Sequence, residues 1–144
     1  MATNGKDREI QCRYVGTHEQ NRTRSTESAP TPPKTSFAQM VALSVLGGRI
    51  GKYHPTSHFN KRRNERDFDV FDIEYAIRNG TCVGVGEFCE EYRNFKYRFR
   101  ANIEGTDFDA VFALCADHDF IRSPLLILIT GCFKTESGKR IRSI

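Results

Sequence analysis

The sequence lacks several features that would place a chain in a functional class at once. No apolar run approaches the ~20 residues that a membrane-spanning helix needs. The first residues show no basic stretch followed by an apolar one, so no secretory leader is expected. The pair Gly84-x-Gly86 lies inside a predicted strand without the rest of a dinucleotide-binding fingerprint, and it therefore indicates a bulge. Internal repeats are also absent.

Cysteine and histidine do not occur in the spacings that metal sites use. The chain has five cysteines, and no pair of them has the spacing of a zinc knuckle. An odd number suits a disulfide framework poorly. The histidines His18, His54 and His118 are scattered. We therefore predict reduced thiols in a cytoplasmic protein, and neither a metal nor another cofactor.

The charge balance permits a polyanionic partner without requiring one. Lys and Arg total 22 against 18 Asp and Glu, a formal net charge of +4. Hydrophobic residues make up 38%, which is low for a globular chain and indicates a polar tail joined to an ordinary folded body. A length of 144 residues allows one domain.

Composition divides the chain into three parts. Residues 1–35 are predicted to be a disordered polar tail, because the stretch NRTRSTESAPTPPKTS holds three of the five prolines and almost nothing apolar. The alternative is an arm that binds a partner or a nucleic acid. Residues 36–134 are predicted to form a single α+β domain, and residues 135–144 a basic C-terminal tail.

Three helices are predicted in the first half of the domain. Ser36 followed by Gln39 is a capping-box pattern, which predicts a helix over 37–46. Hydroxyl residues after His54-Pro55 predict a second helix over 57–66. A third begins at Asp69, has apolar residues at 70, 73 and 77, and ends at Asn79-Gly80.

After residue 80 the apolar period changes from 3.6 to about 2, which predicts strands. Four are predicted, over Thr81–Phe88, Tyr92–Ala101, Phe108–Ala116 and Leu125–Phe133. In the second strand aromatic residues alternate with basic ones, which indicates one buried face and one solvated, basic face. The fold class predicted is α+β, with N-terminal helices packed on one face of a single antiparallel sheet of about four strands.

The segment SHFNKRRNERDFDVFDIEYAIRNG resembles the signature of the domain of unknown function 4258 (DUF4258) family. It has a His, an Arg four residues on, another Arg eight residues on, a short loop, a D-I-E helix and a closing Asn-Gly. The YRFR strand, the D-A-V-F strand and the apolar strand through Thr130 also fit, so that the resemblance covers about residues 53–133. The sequence departs from the family at Arg63, where an apolar residue is usual, and at Cys132-Phe133. The resemblance implies an architecture like that of the RelE and BrnT toxins, which are small ribonucleases of toxin–antitoxin pairs.

Three residues of the second predicted helix are candidates for catalysis. His58, Arg62 and Arg66 recur every four residues and so form one slanted row, called here the helix stripe. Guanidinium groups can hold a phosphodiester and stabilise its pentavalent transition state. A neutral imidazole can take a proton from a ribose 2′-hydroxyl. The alternative is a solvated face whose charges pair with the nearby acids Glu65, Asp67, Asp69 and Asp72.

The basic side of the second predicted strand is the candidate nucleic-acid-binding surface. It consists of Lys96, Arg98 and Arg100, called here the strand face, and Arg63 of the helix is predicted to join it. The alternative is an ordinary solvated sheet surface. If the helix stripe and the strand face converge, they make one basic cleft. Aromatic residues are predicted to lie in the core: Tyr97, Phe59, Phe68, Phe71, Phe108 and Phe112.

Two kinds of function stay open at this point. One is a RelE/BrnT-like ribonuclease toxin domain that cleaves RNA in a basic cleft. The other is a non-catalytic module that binds nucleic acid or protein. The partners predicted are RNA, an antitoxin-like protein, or a second copy paired through a sheet edge, and no membrane.

Overall fold

The computed structural model describes residues 29–141, which form three helices and six strands. The helices are α1 (Thr35–Leu46), α2 (Ser57–Arg66) and α3 (Val70–Asn79). The strands are β1 (Lys52–Pro55), β2 (Thr81–Cys82), β3 (Glu87–Cys89), β4 (Asn94–Ile103), β5 (Thr106–Cys115) and β6 (Leu125–Phe133). The α+β class is as predicted. Most of the predicted N-terminal tail and the last three residues lie outside the described part of the chain.

The sheet is mixed, in the order β1-β6-β5-β4-β2, with β3 also paired to β4. β4, β5 and β6 form an antiparallel meander as predicted, but β1 runs parallel to β6 and was not predicted. Pro55 favoured a turn there. It lies instead at the end of an edge strand, where a proline is tolerated because no partner needs its missing N–H.

The first predicted strand, Thr81–Phe88, is divided into β2 and β3. Gly84 between them has a φ of 76°, a left-handed conformation that strands do not use. Gly86 passes so close to β4 that a Cβ there would lie 2.5 Å from a ring carbon of Tyr97. The glycines therefore mark an interruption of the edge strand rather than a bulge within a continuous one.

Side chains at the first turn explain where α2 and α3 begin. The hydroxyl of Thr56 accepts a hydrogen bond of 3.0 Å from the backbone N–H of Phe59. Asp69 and Asp72 form a reciprocal capping box, with N···O distances of 3.2 and 3.0 Å.

The capping box predicted at the start of α1 is wrong. The helix begins at Thr35, after Lys34, and no side chain caps it. Gln39 donates instead to the backbone oxygen of Ile77 at 2.7 Å, and this hydrogen bond ties α1 to α3.

The main core lies between the helices and one face of the sheet. Phe112 is fully buried there and stacks on Tyr97 and Phe99, with ring centroids 5.5 and 5.8 Å apart. The predicted core positions Phe59, Phe68 and Phe108 are also buried. The prediction for Phe71 is wrong: it is 78% exposed, because α3 turns Ile73, Ala76 and Ile77 towards the sheet.

The opposite face of the sheet has two unlike parts. A small apolar cluster lies on β5 and β6 and consists of Ala113, Cys115, Leu125 and Ile127, with Ile129 packed beside it. The basic residues of β4 occupy another part of the same face. This division limits the solvated surface available for binding.

The cysteine prediction is partly wrong. Cys82, Cys89 and Cys132 are free, but Cys115 is disulfide-bonded. Between residues 29 and 141, no helix has both the length and the apolar character to cross a membrane.

Candidate anion-binding surfaces

The helix stripe lies on α2, which packs against β6 and β1. Phe59 is the buried anchor of this helix, and its side chain meets Phe68 edge to face. His58 at the first turn is more exposed than Arg62 and Arg66, although one side of its ring is covered. The three side chains thus start from one row but enter different surroundings.

Arg62 is partly neutralised by a neighbour on its own helix. Its Nη1 lies 2.7 Å from Oε1 of Glu65, and the two side chains are 32% and 43% exposed. This hydrogen bond is the main reason that the pKa of Glu65 lies below its ordinary value. The alternative weighed for the stripe, pairing with nearby acids, therefore holds at Arg62.

Arg66 joins α2 to the sheet. Its Nη1 donates to the backbone oxygen of Gly131 at 3.0 Å, in the part of β6 that extends beyond the pairing with β1. Its own carbonyl accepts from the N–H of Arg140 at 3.1 Å. Because the Arg66 guanidinium satisfies a strand carbonyl, part of its hydrogen-bonding capacity serves the fold.

His58 has the electrostatic setting of a neutral imidazole. Partial burial lowers its pKa, and the positive charges of Arg62, Arg66 and Lys61 lower it further, against a weaker opposing effect of Glu65. The charged form is therefore disfavoured at neutral pH, and the ring keeps a nitrogen that can accept a proton.

Arg63 belongs to a different surface. It is exposed and lines a shallow polar hollow together with Asn64, Asp67, Asp69, Asp72 and Arg140. The hollow mixes both signs of charge, and Arg140 pairs with Asp72 there at 2.7 Å. Because Arg63 points outward, its departure from the family pattern causes no packing conflict.

The strand face is formed as the alternation predicts. Phe95, Tyr97 and Phe99 point into the core, with exposures of 5%, 1% and 1%. Lys96, Arg98 and Arg100 therefore point to the opposite face of the sheet. Residues two apart on a strand lie about 7 Å apart along it, so that the three cations make a straight row.

A buried carboxylate from β5 organises two of these cations. Asp109 faces Arg100 in the register and has no exposed surface. Its Oδ2 accepts from Nη1 of Arg98 at 2.8 Å and from Nη2 of Arg100 at 3.0 Å, and its Oδ1 accepts from Nε of Arg100 at 2.6 Å.

The protonation equilibria of this cluster reflect those hydrogen bonds. Burial alone would raise the pKa of Asp109, but the hydrogen bonds and charges of Arg100 and Arg98 outweigh burial and lower the pKa below its ordinary value. The same contact raises the pKa of Arg100. Both shifts favour the ionised forms of Asp109 and Arg100.

Sequence reasoning missed Asp109, although two signals were present. An aspartate inside an otherwise apolar strand cannot be buried without cationic partners. The predicted connection at Glu104-Gly105-Thr106 is a two-residue turn, in which Glu104 and Gly105 have φ values of 54° and 89° and Ile103 faces Thr106. That register places Arg100 opposite Asp109.

The helix stripe and the strand face are two separate surfaces. β5 and β6 lie between β4 and α2, and the strand face points away from the side on which Phe59 is buried. The single basic cleft expected from convergence is therefore not formed by the described residues. Within residues 29–141, no three His, Cys, Asp or Glu side chains are grouped so as to hold a metal ion.

Comparison of the chain with protein-family models, with curated proteins and with solved structures found no match. The resemblance to the DUF4258 family and to the RelE and BrnT toxins accordingly stays a prediction. The geometry of the two basic surfaces is what supports a function.

Proposed function

We propose that the chain binds RNA through the strand face. The observation that carries the proposal is the pair of guanidinium groups held side by side by Asp109 while their side chains stay 47% and 36% exposed. Arg100 uses two of its five N–H donors on the carboxylate and Arg98 uses one. Within residues 29–141 the other donors make no hydrogen bond, so they can bind phosphate oxygens, which guanidinium groups hold bidentately.

Lys96 extends the same row by one step. Its side chain is exposed, and Glu87 faces it in the register of β3 and β4 without forming an ion pair among the described residues. Three cations in line can follow a polyanionic backbone, whereas one would bind a single phosphate. The choice of RNA over DNA rests on the family resemblance.

A binding measurement with a labelled RNA oligonucleotide tests the proposal. Fluorescence anisotropy at increasing salt should give a falling affinity, with a slope of about −2 in log K against log salt if three phosphates are contacted. Lys96→Ala should weaken binding and reduce the slope. Arg49→Ala is the matched control, because Arg49 is an exposed cation that lies after α1, outside both basic surfaces.

Two results would contradict RNA binding by the strand face. One is the absence of measurable binding at ~50 mM salt, where phosphate contacts are strong. The other is an equal loss of affinity in Lys96→Ala and Arg49→Ala, which would mean that only the net charge matters.

RNA cleavage by the helix stripe is a second candidate, and the lowered pKa of His58 favours it. An imidazole that is neutral at pH 7 can act as the base on a 2′-hydroxyl. The positive charge of Arg62 helps to keep the His58 imidazole neutral. If so, Arg62→Ala should slow cleavage by about 10²–10³-fold. A substrate with a 2′-deoxy residue at the cleavage site should not be cleaved, because it lacks the hydroxyl group that His58 would deprotonate. Intact RNA after long incubation with the purified wild-type chain would count against this candidate.

The predicted protein partners are separate proposals. The described sheet edges are short: four residues in β1, and two and three residues in β2 and β3. An antitoxin-like strand or a second copy would pair with one of these or with the ends of β4 and β6 that extend beyond them. The molar mass in solution, measured by light scattering, distinguishes self-pairing from a monomer.

A further inference from the structure

Asp109 is the one charged residue between residues 29 and 141 whose side chain is buried. A carboxylate without water is unfavourable unless charged donors satisfy it. Three charge-assisted hydrogen bonds do so here, and all come from side chains whose outer parts reach solvent. The acid is therefore placed beneath the strand face and not on it.

We propose that Asp109 is a positioning residue for an extended single strand of RNA. It fixes the guanidinium groups of Arg98 and Arg100 so that their remaining donors face successive phosphates. The inference rests on the proposed function and adds to it the organising residue and the class of RNA. Long side chains that are already ordered lose less conformational entropy when a ligand binds.

The shape of the surface favours a single strand over a duplex. Lys96, Arg98 and Arg100 lie in a straight row of about 14 Å along β4. A basic row of this kind follows an extended backbone, as single-strand-binding grooves do. The apolar cluster on β5 and β6 is buried, so its residues add nothing to the exposed surface beside this row.

The inference predicts a change in RNA affinity opposite to the change expected from the net charge of the chain. Asp109→Asn makes the chain more positive by one unit, and a simple electrostatic account expects tighter binding to RNA. Loss of positioning should instead weaken binding about tenfold, with a smaller salt slope. Asp107→Asn is the matched control, because it removes the same charge from an exposed position two residues earlier on β5. That control should bind as tightly as the wild type or more tightly.

A second variant tests the same inference in case Asp109→Asn does not fold. The double substitution Arg98→Lys and Arg100→Lys preserves every charge but removes the planar fork that pairs with the carboxylate. Both side chains are partly exposed, so the fold should tolerate the change. Weaker binding than the wild type is expected, whereas equal binding by this variant would overturn the role of Asp109.

Measurements without RNA separate failure of the inference from failure of the proposed function. The ¹⁵N–¹H resonances of the arginine Nε groups, followed by NMR, should show Arg100 protected from exchange and shifted by added inorganic pyrophosphate. If those shifts occur and RNA does not bind, both RNA binding and positioning for RNA are wrong, and Asp109 orders the two arginines for a different phosphate ligand. If RNA binds the wild type and Asp109→Asn equally well, the positioning role is wrong and RNA binding stands.

Discussion

The helix stripe and the strand face both carry arginines, but the two surfaces differ in how much of each guanidinium group is left for a ligand. On α2, Arg62 pairs with Glu65 and Arg66 donates to the backbone of β6. On β4, Arg98 and Arg100 share one buried acid and keep their outer parts exposed. A row of cations in a sequence is therefore a weak indication of a binding surface until their partners are known.

The difference follows from where the partners come from. A helix brings together residues three and four apart, and the segment around α2 is rich in acids. A strand separates neighbouring side chains between two faces, so that its partners come from the adjacent strand. Asp109 comes from β5, nine residues after Arg100.

The largest effect should come from removing the aromatic support behind the strand face. Phe112 is fully buried between Tyr97 and Phe99, and Phe112→Ala should lower the free energy of unfolding by about 3–5 kcal/mol. Urea denaturation measures this loss of stability. Phe71→Ala is the control, and it should cost less than about 0.5 kcal/mol because Phe71 is 78% exposed. Similar losses in both variants would mean that the core is assigned wrongly.

The next effect concerns the acid beneath the strand face. The pKa of Asp109 is lowered in the folded state, so its ionised form stabilises the fold above the unfolded pKa of about 3.9. That stability is lost as the pH falls through the lower folded pKa. Asp109→Asn should cost about 1–3 kcal/mol at pH 7. The gap between the two proteins in thermal unfolding should shrink as the pH is lowered towards 2, and a gap independent of pH would contradict the ion-pair account.

A smaller effect should separate the two arginines of the helix stripe. Arg66→Ala removes a donor from the Gly131 carbonyl and should cost about 1 kcal/mol in the free energy of unfolding. Arg62→Ala breaks an exposed pair on one helix and should cost less than about 0.5 kcal/mol. Chemical denaturation of both variants measures the difference. A larger cost at Arg62 would reverse the assignment of Arg66 as the structural member.

The smallest effect is the titration of His58. Its pKa should lie below the ordinary value of about 6.5, and Arg62→Ala should move it upward by removing a nearby positive charge. The pH dependence of the imidazole ¹H resonances measures both proteins. A pKa above the ordinary value in the wild type would remove the reason for treating His58 as a base.

Much of the fold was predictable because it depends on local chemistry. α2 and β6 lie within their predicted limits, since a hydroxyl cap and an apolar run mark them. β1 was missed because a four-residue strand ending in proline has no distinctive pattern of its own. It exists because β6 offers a parallel partner far along the chain.

The sequence by itself determined the α+β class, the limits of α2, α3 and β6, and which side of β4 would be basic. Periodicity and capping act within a few residues, so they can be read in order along the chain. Arg62 pairs with Glu65 within its own helix, but only tertiary structure decided the partners of Arg66 and Arg140. Arg66 meets a carbonyl 65 positions away, and Asp72 meets Arg140 68 positions away. Such partners depend on the packing of segments that are distant in sequence, and for that reason no local sequence pattern predicts them.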